Sequence, residues 1–241
     1  MSTNNNDIAS LVSSGANDLS VSLPDNAIEA FQTYYELLKE RGKGVNLTTV
    51  TGARDVAQLH FLDSISLLNV HSFEAASVID IGSGAGFPGI PLKIAEPSIT
   101  LTLLDSSGKR INFMSEVCES LNLDANCVLA RAEDFAREEE NREKQDIAVS
   151  RALAKLNILA ELCLPLVRVG GAFIAMKGVE SNEEIKNAKK SLDILGGKLV
   201  EYIDYNIPDT NIVHRAVVIE KTSETPIKYP RRFARIQKSP L

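Results

Sequence analysis

Short apolar runs and longer amphipathic segments alternate along the chain from residue 77 onward. The short runs are rich in Val, Ile and Leu, as strands are, whereas the longer segments repeat apolar residues every three or four positions, as helices do. Strands that alternate with helices form a parallel sheet covered by helices on both faces. Strands are therefore predicted near 77–81, 99–105, 126–131, 146–150 and 171–177, and helices near 90–95, 107–122, 133–143, 152–168 and 181–195.

The pattern changes after Gly196 and Gly197, where two strand-like runs, 198–207 and 212–221, follow each other. The linker at 208–211 is too short for a helical crossover between parallel strands. The two runs therefore form a hairpin, and one of them lies antiparallel to its neighbours. The predicted fold class is α/β, with a seven-stranded, mostly parallel sheet, helices on both faces and a late antiparallel hairpin.

A helical extension precedes this sheet. Ile28, Phe31, Tyr35 and Leu38 recur at helical spacing, and a second helix is predicted at 56–68. We divide the chain into a polar, loosely ordered N-terminus with a short helix near Ile8, the helical extension, the main α/β domain, and a basic tail packed on that domain. These four parts are 1–23, 24–70, 71–221 and 222–241.

The glycine-rich turn after the first predicted strand carries the strongest chemical signal. The strand at 78–81 leads into Gly82, Gly84, Gly86 and Gly89, and a helix follows. Glycine permits positive φ and lets a ligand approach the backbone closely, because no Cβ stands in the way. A strand, a glycine turn and a helix N-terminus together form a ligand cradle at the carboxyl edge of a parallel sheet.

Two ligands fit this turn. Gly84, Gly86 and Gly89 satisfy the G-x-G-x-x-G pattern of dinucleotide sites. Counted from Asp80, the glycines also satisfy D-x-G-x-G-x-G, which is typical of S-adenosylmethionine sites. A carboxylate there attracts the cationic methionine end of S-adenosylmethionine and repels a pyrophosphate.

Asp105 ends the second predicted strand, where an acidic side chain accepts hydrogen bonds from the ribose hydroxyls of either ligand. The late hairpin favours S-adenosylmethionine. A seven-stranded sheet with this hairpin is typical of Rossmann-like S-adenosylmethionine-dependent methyltransferases, and ordinary nicotinamide-binding sheets lack it.

Composition and charge narrow the function classes. The chain has 241 residues, its apolar runs are shorter than the roughly 20 residues of a membrane span, and its N-terminus lacks the pattern of a signal peptide. Three widely spaced cysteines and three histidines show no metal-ligand spacing, so no metal is predicted and a reduced, cytoplasmic protein is expected. The net charge is −6, yet residues 221–241 hold six Lys and Arg against Glu224 alone. This asymmetry predicts a basic surface on an acidic body.

Several motifs resemble the bacterial small-subunit ribosomal RNA guanine-N7 methyltransferase family, also called glucose-inhibited division protein B. The resemblance covers about residues 24–241. It is carried by residues 80–91, 104–106, 109–110, 131–133, 150–152, 177–178 and 214–215, by 46–48 and 60–64 upstream, and by 228–232 and 238–241 at the C-terminus.

The resemblance implies methyl transfer from S-adenosyl-L-methionine to N7 of one guanine in 16S ribosomal RNA, with the RNA or the small-subunit particle as partner. It places cofactor contacts at Gly82, Phe87, Ala132, Glu133 and Arg151, and the residues themselves add Gly84 and Asp105. N7 carries a free lone pair, so no general base is predicted. The expected RNA contacts are Lys177, Arg215, Arg231 and Arg232, and a monomer is expected.

Two other function classes stay open at this point. A nicotinamide-dependent oxidoreductase would use the glycine pattern for a pyrophosphate. A non-catalytic RNA-binding protein would use the basic tail and would not bind S-adenosylmethionine.

Overall fold

The computed structural model describes residues 7–45 and 50–241. The family motif at 46–48 lies outside these residues. The sheet has seven strands in the order β3-β2-β1-β4-β5-β7-β6. Strands β1 to β5 pair in parallel, and β7 pairs antiparallel with both β5 and β6. The seven-stranded fold and its late hairpin are confirmed. The strands are β1 (Ser77–Ile81), β2 (Thr100–Asp105), β3 (Ala125–Leu129), β4 (Gln145–Arg151), β5 (Val167–Gly178), β6 (Gly197–Asn206) and β7 (Val213–Lys221).

Ten α-helical segments are present in the described part of the chain, joined by short 3₁₀ turns and one π-helical segment at Ala57–Leu62. None of these helices is both long and apolar enough to cross a bilayer. The helices are α1 (Ile8–Asp18), α2 (Ala27–Val45), α3 (Ala53–Val56), α4 (Asp63–Ile65), α5 (Gly89–Ala95), α6 (Gly108–Ser120), α7 (Ala132–Phe135), α8 (Leu156–Cys163), α9 (Asn182–Leu195) and α10 (Phe233–Lys238).

Successive strand residues bury their side chains on opposite faces of the sheet, as the two-residue period of a strand requires. Val78 and Ile147 belong to the core that holds α1, α2, α5 and α6. Ile79 and Ala148 belong to the core that holds α8, α9 and α10. The helical extension therefore packs against one face, and the C-terminal tail packs against the other.

The N-terminal region is more ordered than its polar composition predicts. Residues 8–18 form α1, and Ile8, Val12 and Ala16 are buried against the helical extension. The expectation of a loosely ordered segment is therefore wrong for residues 7–23. The apolar stripe of α1 is narrow, and burial against α2 and the π-helical segment stabilises it.

Two predicted helices are shorter in the structure. The helix predicted at 133–143 ends at Phe135. The chain turns after it, and Arg142 donates to the carbonyls of Tyr229 and Thr225 in the C-terminal tail. The helix predicted at 152–168 begins only at Leu156, because the chain first turns at Ala152, which has a φ of 53°. The carboxylate of Glu184 then accepts a hydrogen bond from the Leu156 N–H at the helix start.

Candidate active site

A cleft with two adjoining cavities lies at the carboxyl edge of β1, β2 and β4. Both cavities contact Gly82, Arg110 and Leu153. The volume of the first is about 200 Å³, and the cavity is partly open to solvent. The first cavity is lined by Ile81, Gly82, Leu104, Asp105, Ser106, Arg110, Ala130, Arg131, Ala132, Glu133, Leu153, Leu162 and Phe233. The second is lined by His60, Gly82, Ser83, Gly84, Ala85, Phe87, Arg110, Arg151, Ala152 and Leu153.

The glycine turn forms the wall between the two cavities. Gly82 and Gly84 have φ values of 71° and 62°, a region that side chains with a Cβ rarely adopt. A Cβ built on Gly84 meets only the Gly82 carbonyl, at 3.9 Å, so it would project into open space of the cleft. Below the turn, the buried Tyr34 hydroxyl of α2 donates to the carbonyl of Ala85. The helical extension thus supports the ligand-facing backbone.

Asp80 lies beneath this turn and is fully buried. Its Oδ2 accepts a hydrogen bond from the Gly89 N–H at 2.9 Å, and its Oδ1 has no hydrogen-bond partner among the described residues. Burial raises the pKa of this carboxyl to about 7, and the Gly89 hydrogen bond and the Arg151 charge only partly oppose that effect. The carboxylate fixes the start of α5. It lines neither cavity, so it would act on a cationic ligand in the cleft through its charge and not by direct contact.

The raised pKa of Asp80 predicts a pH-dependent cofactor affinity. As pH rises through 7 the carboxyl becomes charged and attracts a cationic methionine end, so affinity for S-adenosylmethionine should rise about tenfold between pH 6 and 7.5. Without ligand the same group lowers stability as pH rises from 3.8 to about 7, because in that window the folded protein holds a proton that the unfolded chain has released. Asp80→Asn should remove both trends in calorimetric titrations and thermal melts. An unchanged pH profile in Asp80→Asn would exclude Asp80 as their source.

Asp105 stands at the end of β2, is 4% exposed and lines the first cavity. Its Oδ2 accepts from the Gly84 N–H at 3.0 Å and lies 3.3 Å from Arg110 Nη1, while its Oδ1 accepts from the Ser107 N–H at 2.9 Å. The carboxylate therefore holds the glycine turn in place and keeps lone-pair capacity on Oδ1 for a ribose hydroxyl. Its role as ribose acceptor stays a prediction.

Replacing Asp105 by Ala should weaken S-adenosylmethionine binding by about 1–3 kcal/mol, the cost of losing a charged hydrogen-bond partner. Isothermal titration calorimetry measures this directly. Asp134→Ala, which removes an exposed acid from α7, is the matched control and should leave affinity unchanged. Unaltered affinity in a folded Asp105→Ala protein would remove this residue from the site.

Ala132 and Glu133 begin α7, directly after β3, and both line the first cavity. Glu133 is 5% exposed, and its Oε1 accepts from the Phe233 N–H at 3.3 Å. Phe233, which starts α10, also lines this cavity. The C-terminal tail therefore forms part of the cleft. The sequence offered no local signal for this, since Phe233 lies 100 positions beyond Glu133.

Arg151 ends β4 in the second cavity. Its Nη1 donates to the Leu59 carbonyl at 2.9 Å and lies 3.3 Å from Asp63 Oδ2, and its guanidinium carbon sits 4.9 Å from the centre of the Phe87 ring. His60 stacks on the same Phe87 ring with centroids 4.5 Å apart. Burial and the neighbouring Arg151 lower the pKa of His60 to about 4, so its imidazole is neutral at pH 7.

Asp63 anchors this arrangement from α4 and is 1% exposed. Its Oδ1 accepts from the Tyr205 hydroxyl at 2.9 Å and lies 2.8 Å from His214 Nδ1, which ties β6 and β7 to the cleft. The carboxylate raises the pKa of His214. Neither Asp63 nor His60 was among the predicted site residues, although both belong to the motif at 60–64.

The structure brings the seven predicted cofactor residues together. Gly82, Gly84 and Phe87 meet Arg151 around the second cavity, and Gly82 also borders the first. Asp105, Ala132 and Glu133 line the first. Their contacts with a bound cofactor stay predictions.

The geometry does not support three of the four predicted RNA contacts. Lys177 Nζ donates to the Ala154 carbonyl and pairs with Glu184. Arg215 is 5% exposed and pairs with Asp204. Arg231 pairs with buried Glu161 at 2.6 Å.

These three side chains are held by partners within the fold, and none of them lines either cavity. Arg232 is exposed and stays a candidate RNA contact. Among the described residues, no group of three or more His, Cys, Asp or Glu side chains lies together in a way that would hold a metal ion.

Fold and cleft together define a Rossmann-like methyltransferase. S-adenosylmethionine has a nucleoside at one end and a cationic methionine at the other. Three features of the structure fit this ligand: the buried, unpaired oxygen of Asp80, Asp105 at the end of β2, and the cleft with its two adjoining cavities. Solved structures with the same fold include an S-adenosylmethionine-dependent methyltransferase from Aquifex aeolicus, with a TM-score of 0.52 and 14% identity over 68% of this chain and 92% of that one. M. jannaschii TYW2 in complex with AdoMet gives a TM-score of 0.50 and 17% identity, over 65% of this chain and 74% of that one.

The family model described as rRNA small subunit methyltransferase G matches residues 27–213. A protein named ribosomal RNA small subunit methyltransferase G from Clostridium botulinum (strain Loch Maree / Type A3) is 46% identical over 96% of this chain and 98% of that protein. A protein of the same name from Acetivibrio thermocellus is 45% identical over 96% of both. The chain belongs to the rRNA small subunit methyltransferase G family, as the resemblance in its motifs indicated.

Proposed function

We propose that this protein transfers a methyl group from S-adenosyl-L-methionine to N7 of a guanine in the 16S ribosomal RNA of the small subunit. One observation carries the proposal. The described residues that line the second cavity include two arginines, a neutral histidine and a buried phenylalanine, but no carboxylate. Guanine N7 has a free lone pair in the neutral base, so its methylation needs alignment and exclusion of water but no general base.

The cofactor supplies an electrophilic methyl group when it is bound. The backbone at Gly82 and Gly84 would border it between the two cavities, with Asp105 toward the ribose and Ala132 and Glu133 toward the adenine. The adenosine would then occupy the first cavity, and the methyl group would face the second. This assignment follows from which cavity each residue lines.

Arg151 is the residue best placed to orient the guanine. Its side chain is 17% exposed and lines the second cavity, while Asp63 and the Leu59 carbonyl hold its guanidinium. Arginine binds guanine at O6 and N7, but a donor at N7 would occupy the nucleophile. Arg151 therefore serves O6 or an adjacent phosphate, and the His60 ring beside Phe87 offers a flat, neutral surface to the base.

Exposed cations surround the mouth of the cleft. Arg110 and Lys109 follow β2, Arg131 follows β3, Lys155 follows β4, and Arg232 precedes α10. Because the carboxyl ends of parallel strands lie at one edge, these charges share that edge with the cavities. A concentrated patch of this kind attracts RNA to a protein whose net charge is −6.

The two other function classes are less well supported. A nicotinamide pyrophosphate would lie near buried Asp80, whose charge opposes it. A non-catalytic RNA-binding protein would not require a cofactor cleft, whereas here seven predicted cofactor residues surround the two adjoining cavities. We further propose that the protein works as a monomer in the cytoplasm.

Purified protein, 16S ribosomal RNA or small-subunit particles, and S-adenosylmethionine with a labelled methyl group test the proposal. We expect label in one guanine, released as N7-methylguanine after digestion. Parallel reactions on naked RNA and on particles identify the substrate form. Failure to label either one, in protein that binds S-adenosylmethionine, would contradict the proposal.

A further inference from the structure

The C-terminal tail, residues 222–241, returns from the edge of the sheet to the cofactor cleft. Tyr229 and Ile236 are buried in the same core as α8 and β4. Thr225 is also buried, and its hydroxyl donates to the Leu195 carbonyl at the end of α9. The tail is therefore packed against the domain at these three residues.

An ion pair fixes the tail just before α10. Glu161 of α8 is 0% exposed, and it receives three hydrogen bonds from Arg231: the backbone N–H at 2.8 Å, Nε at 2.8 Å and Nη2 at 2.6 Å. A buried carboxylate is stable only when its charge and lone pairs are matched in this way. Without Arg231, Glu161 would be left charged and unpaired in the core.

Two further arginines hold the backbone of the tail. Arg137 donates to the Pro230 carbonyl with Nε at 3.1 Å and Nη2 at 2.8 Å. Arg142 donates to the carbonyls of Tyr229 at 2.9 Å and Thr225 at 2.7 Å. Both arginines follow α7, which begins with the cavity residues Ala132 and Glu133.

The fixed segment delivers Phe233 to the first cavity. Phe233 lines this cavity together with Leu162, the neighbour of Glu161 on α8, and its N–H donates to the Glu133 carboxylate. An aromatic ring beside a carboxylate suits adenine, because the ring contacts the flat face of the base and the carboxylate accepts from its exocyclic amine. By contrast, Lys228, Arg232, Arg235 and Lys238 on the same tail are exposed.

We propose that the C-terminal tail forms part of the cofactor site. In this proposal Phe233 contacts the adenine of S-adenosylmethionine, and the Arg231–Glu161 pair positions it. Arg231 is thereby reassigned from RNA contact to positioning residue. The inference rests on the proposed function for the identity of the cofactor.

Calorimetry with S-adenosylmethionine and with adenosine alone tests this proposal. Phe233→Ala should weaken binding of both by at least about fivefold, which is the lower end of aromatic stacking on a base, whereas Phe233→Tyr should retain affinity. Lys238→Ala, which changes an exposed residue at the far end of α10, is the matched control and should bind both ligands normally. Equal affinities in Phe233→Ala and in the unaltered protein would overturn the proposal.

The test of Arg231 must separate an effect on cofactor binding from an effect on the general stability of the protein. Arg231→Lys keeps the backbone hydrogen bond to Glu161 and a positive charge beside it, so it should melt near the unaltered protein, yet its KM for S-adenosylmethionine should rise while its kcat changes less. A variant in which KM stays constant and only the melting temperature falls would reduce the ion pair to a structural role. If the unaltered protein binds no S-adenosylmethionine, the proposed function fails. If it binds normally and only the Phe233 result is negative, the tail inference alone fails.

Discussion

Replacing Arg151 by Gln should lower the rate of methyl transfer by about 100-fold, because loss of alignment at the reacting atoms costs this much even without loss of binding. Arg151 is the only cation that both ends a central strand and lines the second cavity among the described residues. Its hydrogen bonds to the Leu59 carbonyl and to Asp63 fix the guanidinium over Phe87. A neutral amide would keep a polar group there without the charge or the second donor arm.

Stability should fall much less than activity in Arg151→Gln. Asp63 keeps its hydrogen bond from Tyr205 and its contact with His214, whose pKa the Asp63 carboxylate raises. Arg168→Gln is the matched control, since Arg168 also pairs with an aspartate but lies at the opposite end of the sheet. Single-turnover assays measure the rate of methyl transfer in both variants, and thermal melts measure their stability. A proportional loss of stability and activity, or normal turnover, would mean that Arg151 only joins β4 to α4.

Gly84→Val should weaken S-adenosylmethionine binding by about 1–3 kcal/mol, the cost of forcing extra methyl groups into a packed site. At a φ of 62° a β-branched residue is also strained. The strain alone costs about 1–2 kcal/mol and acts on stability. The loss of affinity comes instead from a side chain that projects into the cleft, where the built Cβ has open space around it.

Gly170→Val separates these two effects. Gly170 has a φ of 85° in β5, and a Cβ there meets only the end of the Arg168 side chain, at 3.3 Å. This variant carries a comparable backbone strain outside the cleft. It should lose melting temperature but bind S-adenosylmethionine normally in calorimetric titrations. If both variants lose affinity equally, strain and not occupancy of the cleft explains the Gly84 result.

The fold was predictable because the sheet is encoded locally. Each strand is a short apolar run, and the glycine turn follows the first of them directly, so the cofactor cleft could be placed from sequence. The lengths of α7 and α8 were not predictable, because the chain beside them makes contacts between distant residues, through Arg142 and Glu184.

The roles of individual charges were harder to infer than the fold. Arg215 and Arg231 resemble surface cations in sequence, yet each pairs with an acid brought close only by the fold. The same holds for Phe233, whose place in the first cavity depends on the course of the whole tail. Asp63 lay within a family motif, but its role depends on Tyr205 and His214 in the late hairpin.

The most direct test of the central claim is to map N7-methylguanine in the small-subunit ribosomal RNA of cells with and without this protein. Chemical cleavage at N7-methylguanine followed by sequencing locates each modified base. We predict that one site is lost when the gene is deleted, is restored by the unaltered protein and is not restored by Arg151→Gln expressed at the same level. An unchanged set of N7-methylguanines in the deletion strain would contradict the account.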